Sequence, residues 1–79
     1  MTEIEVFTRL NKVFRKVFDD NSIVLSRNTT AKDIEDWDSI EHITLIGAVE
    51  KEFGMRFQMK EVSSMKNVGE MADIIRSRV

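Results

Sequence analysis

Cysteine and proline are both absent from this 79-residue chain, glycine occurs three times and histidine once. Without cysteine there is no disulfide scaffold, no thiolate nucleophile and no cysteine-ligated zinc or iron–sulfur site. A lone histidine argues against a histidine-rich metal site. Without proline, and with so little glycine, the turns must come from Asn, Asp and Ser. No apolar run approaches the ~20 residues needed to cross a bilayer. Met1-Thr2-Glu3 puts no basic stretch before an apolar run, so no signal peptide is expected and the cytoplasm is the default location.

What is present suits one small domain spanning residues 1–79. A chain of this size buries only about 60% of its extended surface, so its core must pack efficiently. Its 42% hydrophobic content is enough for that. The net charge of −2 hides an uneven distribution. Residues 1–32 carry six basic and four acidic side chains, whereas residues 33–61 carry three basic and eight acidic ones, a local charge of −5. Such a field disfavours nucleic acid and anionic lipid and favours a basic protein partner.

Helical periodicity dominates. Thr2 with Glu5 three positions on forms a capping-box signal. Ile4, Phe7, Leu10, Phe14 and Val17, widened by Val6, Val13 and Phe18, then predict a helix over about 3–18. Residues 19–37 form a long irregular stretch, with Ile23, Val24, Leu25, Ile34 and Trp37 expected to pin it to the core. A second helix should run from Ser39 to about Phe53, with Asp38 as N-cap and Glu41 as its box partner. Ile40, Ile43, Ile46, Val49 and Phe53 form its expected core stripe, and Gly54 its C-terminal stop. Gly47 costs roughly 1 kcal/mol of helix propensity and so calls for a packing reason. Phe57, Met59, Val62 and Met65 anchor a segment with one helical turn near Lys60–Ser64. Asn67, with Glu70 at the box position, starts a last helix whose Val68, Met71, Ile74 and Ile75 face inward. The fold class is therefore all-α, with three main helices, one short helix and a long first loop.

Asp38-Ser39-Ile40 is the candidate site. Judged by helix signals alone, Ser39 is an ordinary residue beside a cap. A functional reading rests on a hydroxyl exposed at a loop-to-helix corner, where a phosphodiester would meet the positive end of the helix. Ile40 and Ile43 beside it offer a partner an apolar foothold. No general base lies at a recognisable spacing, so Ser39 is a poor hydrolytic nucleophile. The acids Asp33, Glu35, Asp36 and Asp38 fail the EF-hand pattern, since Asp38 and Thr44 stand where glycine and glutamate are required. A solvated acidic face is the simpler reading. His42 lies within reach of a phosphate at Ser39, though a lone histidine is more often a boundary side chain.

Asp36-Trp37-Asp38-Ser39-Ile40-Glu41-His42, followed by Leu45-Ile46, Val49-Glu50, Glu52-Phe53-Gly54 and then Val68-Gly69-Glu70-Met71-Ala72, resembles the acyl carrier protein family over about residues 33–76. The resemblance implies a four-helix carrier-protein bundle whose Ser39 receives 4′-phosphopantetheine from coenzyme A through a separate phosphopantetheinyl transferase. It implies a carrier and shuttle rather than an enzyme, holding acyl groups as thioesters on the arm's thiol. Matched by position, Asp38 and Ile40 support the attachment motif. Glu41, Ile43, Glu50 and Glu52 correspond to partner-recognition positions that meet basic patches of acyl-loading and acyl-processing enzymes. Ile46, Phe57, Val62, Met65, Val68 and Met71 correspond to acyl-pocket or core positions. The implied chain is a monomer with no membrane or nucleic-acid partner.

Some positions depart from fatty-acid-type members of that family. Thr44 and Lys51 replace acids, Gly47 replaces a bulky apolar residue, and Trp37 resembles carriers of specialised, polyketide-like pathways. Fatty acid and specialised biosynthesis therefore both stand. Two alternatives use the same residues differently: a freestanding peptidyl or aminoacyl carrier, and an acidic helical adaptor in which Ser39 is only part of a cap.

Overall fold

The computed structural model describes residues 1–79 and contains four α-helices and no strand. They are α1 (Glu3–Val17), α2 (Ser39–Phe53), α3 (Met59–Ser64) and α4 (Val68–Arg78). A single 3-10 turn, Ala31–Asp33, interrupts the long first loop. Each helix begins where a side chain can satisfy its first N–H groups. Thr2 and Glu5 close the expected capping box on α1. Asp38 accepts from the Glu41 N–H at 2.8 Å, and Asn67 accepts from the Glu70 N–H at 2.9 Å. The return half of the box is missing at both. No Glu41 carboxylate closes back on Asp38, and Glu70 instead accepts from the Lys66 N–H at 3.0 Å. Gly54 ends α2 in the left-handed region at φ 63°, a conformation glycine adopts without a Cβ penalty.

Val6, Leu10 and Phe14 of α1, Leu45 and Val49 of α2, and Val68, Met71 and Ile75 of α4 are fully buried and form the centre of one core. The closest backbone packing is α1 against α2 and α4, and α3 lies outside that set. Ile23, Leu25 and Ile34 pin the first loop as expected, while half-buried Trp37 packs its ring edge-on against Phe14 with centroids 5.3 Å apart. Hydrogen bonds from the N–H groups of Val68 and Gly69 to the carbonyls of Thr29 and Arg27 fasten this loop to the start of α4.

Five apolar expectations are corrected, among them Met59, which opens α3 and is exposed rather than an anchor. Val24 faces solvent, because neighbours on extended chain point to opposite sides and Ile23 and Leu25 take the inward ones. Ile4 lies outside the α1 core stripe. Ile40 and Ile43 are 74% and 72% exposed, since α2 turns Leu45, Ile46, Val49 and Phe53 inward. Gly47 has no packing reason either: a Cβ there would meet nothing within 4 Å.

Candidate functional site

Ser39 is the first residue of α2 and is exposed. Asp38 takes over capping: its carboxylate holds the Glu41 N–H, and its carbonyl accepts from the His42 N–H at 2.9 Å. The Ser39 hydroxyl is thus not required to hold the helix. The N–H groups of Ser39 and Ile40 have no protein acceptor, so two donors and the positive helix end lie beside that hydroxyl.

A cleft of about 380 Å³ opens next to Ser39. Trp37, His42, Val62, Met65 and Met71 line it, with Ser63, Lys66 and Asn67 adding polar groups. Among the expected pocket residues, Val62, Met65 and Met71 therefore share one cavity with Ser39. Ile46 and Val68 are in the buried core instead, and Phe57 is half-buried against it.

The sequence suggests a surface or boundary side chain at His42 and does not reveal its partners. The indole N–H of Trp37 donates to His42 Nδ1 at 3.0 Å, with the two rings stacked at 27°. Indole N–H can only donate, so Nδ1 must be the unprotonated nitrogen. Nε2–H then donates to the Val62 carbonyl, also at 3.0 Å. That carbonyl is in the last turn of α3, whose terminal acceptors lack helical partners. The imidazole thus ties the first loop, α2 and α3 together along one wall of the cleft.

The acids expected to meet partners divide. Glu41 forms no ion pair within the chain, and Ile40 and Ile43 project beside it. Glu52 turns toward α1, where it accepts from Arg9 Nε at 2.8 Å and pairs with Lys12 at 3.2 Å. The Arg9 guanidinium also donates to the Glu52 carbonyl and lies 4.6 Å over the Phe53 ring. Its hydrogen bond, followed in effect by that of Lys12, holds the Glu52 carboxyl below its ordinary range. Glu50 accepts the Phe57 N–H at 2.8 Å and orders the chain after Gly54. Both carboxylates have partners within this fold, whereas Glu41 has no ion-pair partner within the chain. Arg78 similarly pairs with Glu61 at 2.6 Å, fastening α3 to α4 and lowering the Glu61 pKa.

No group of three or more His, Asp or Glu side chains is arranged to hold a metal ion. No helix is long and apolar enough to cross a membrane.

No family model matches the chain, and no curated protein does. Among solved structures, it is similar to a holo acyl carrier protein from Geobacter metallireducens. The two share 42% sequence identity and a TM-score of 0.86 over 92% of this chain and 84% of that one. At that identity and coverage the likeness extends beyond the helical architecture: the chain belongs to the acyl carrier protein family, whose members are carriers rather than enzymes.

Proposed function

We propose that residues 1–79 act as one carrier domain with 4′-phosphopantetheine attached to Ser39 Oγ. The observation that supports this best is an exposed serine at the first position of α2 that is relieved of capping by Asp38 and opens onto a cleft. The similar holo carrier supports the same group. A phosphodiester at Ser39 fits the local chemistry, because the Ser39 and Ile40 N–H groups lack acceptors and the helix end favours an anion. When attached, the arm supplies a terminal thiol that holds an acyl group as a thioester. Asp38 keeps α2 capped whether or not Ser39 is modified. The cleft side chains Val62, Met65 and Met71 give the arm and its acyl group an apolar wall.

A phosphopantetheinyl transferase and the acyl-loading and acyl-processing enzymes dock around that serine. The exposed acids Glu35, Asp36 and Asp38, with Glu41, make the approach negative, so a basic partner patch fits it. Ile40 and Ile43 supply the adjoining apolar contact. The pathways served are fatty acid or specialised, polyketide-like biosynthesis. The readout is peptide mapping after treatment with coenzyme A and a broad-specificity transferase. Phosphopantetheine on the peptide containing Ser39 supports the assignment, and a modification elsewhere overturns it.

A further inference from the structure

We infer that His42 determines cargo length: its bridge from Trp37 to α3 closes the inner wall of the cleft, so this carrier holds short acyl groups at the cleft mouth and does not bury long alkyl chains. The inference rests on the carrier reading of Ser39. Trp37 is anchored from behind by Phe14 and by Phe18, 5.3 Å and 6.2 Å away between ring centroids. Its N–H fixes one side of the imidazole, and the other side fixes the Val62 carbonyl. The chain of contacts is continuous from the buried core of α1 to α3. Met71 at the cleft is only 1% exposed and already packs into the core cluster.

An alkyl chain growing inward from Ser39 must separate α3 from α2. Little else resists that motion. α3 has six residues, and apart from the packing of Val62 its main tie is the Glu61–Arg78 pair. Opening the bridge leaves a buried-side indole donor and a helix-end carbonyl without partners, each at a desolvation cost, in addition to displacing Val62 and Met65 from the core they pack against. The mouth offers Ser63, Lys66 and Asn67 to a short or polar acyl group instead.

The test uses the full chain, loaded by a broad-specificity transferase from butyryl- and octanoyl-coenzyme A, with methyl-labelled methionine. Intact mass confirms loading. In the parent, the Met71 methyl signal should be the same in the two acyl forms, and hydroxylamine should cleave both thioesters at rates within twofold. In His42→Ala, octanoyl alone should shift Met71 and slow its cleavage at least fivefold, with the butyryl form unchanged. Glutamine can supply both an acceptor and a donor, so His42→Gln should restore the parent behaviour. Octanoyl buried in the parent overturns the inference, and needs no variant to detect. An octanoyl response in His42→Ala equal to the parent's also overturns it, as does failure of His42→Gln to rescue. Absence of any mass gain contradicts the carrier reading itself, whereas a loaded parent that buries octanoyl contradicts the gate alone.

Discussion

Two glycines in helices should respond with opposite sign to the same substitution. Gly69 is in the first turn of α4, where the first loop crosses it. A Cβ there would be 2.9 Å from the Arg27 carbonyl oxygen and 3.0 Å from Arg27 Cβ. The close approach is sustained by hydrogen bonds from the Gly69 and Val68 N–H groups to Arg27 and Thr29, at 3.0 and 2.9 Å. Backbone, not a flexible side-chain end, would have to move. Overpacking of this kind costs roughly 1–3 kcal/mol, while alanine returns at most about 1 kcal/mol of helix propensity. Gly69→Ala should therefore destabilise by about 1–2 kcal/mol, which for a domain of this size lowers Tm by roughly 4–16 °C. Gly47 in mid-α2 has nothing within 4 Å of the added carbon. Gly47→Ala should stabilise by roughly 0.5–1 kcal/mol. Thermal and urea unfolding followed by circular dichroism measures both. Shifts of the same sign, or a Gly69→Ala variant as stable as the parent, would refute the close-approach reasoning.

Removing the α1–α2 tie with Glu52→Gln should cost about 1–2 kcal/mol, since charge-assisted hydrogen bonds contribute about 1.5–3 kcal/mol and Arg9 is partly solvated; urea titration reads it. Glu52, Glu61 and Asp73 all have folded pKa values lowered, by hydrogen bonds from Arg9, Arg78 and Arg27 respectively. Their contribution is present above the unfolded carboxylate value of about 4 and is lost as pH falls through the lower folded values. Stability should thus hold steady near neutrality and decline only below about pH 5, and Glu52→Gln should make that decline shallower. Glu41→Lys should slow transferase modification at low salt, with helicity unchanged; equal rates across salt concentrations would count against electrostatic docking.

Helix positions were legible in the sequence because Thr2, Asp38, Asn67 and Gly54 act locally, through side-chain or backbone chemistry within three or four residues. The family resemblance at Asp38-Ser39-Ile40 was legible for the same reason. Which face of α2 points inward was not. Periodicity alone places Ile40 and Ile43 in the core stripe, yet α2 carries apolar residues on two faces and only packing against α1 selects Leu45, Ile46, Val49 and Phe53. The Trp37–His42–Val62 bridge and the Arg9–Glu52 pair were also hidden, because they join residues up to 43 positions apart. Gly69 stood in a recognisable motif, but its reason, the Arg27 carbonyl, belongs to a different segment.

The carrier assignment itself is tested most directly by intact mass before and after incubation with coenzyme A and a broad-specificity phosphopantetheinyl transferase, with Ser39→Ala alongside. Because Asp38 holds the cap, both proteins should unfold at closely similar temperatures. The parent should gain one phosphopantetheinyl group and Ser39→Ala none. A folded, initially unmodified parent that gains nothing, even from its cognate transferase, or a Ser39→Ala protein that gains the group, would contradict attachment at Ser39.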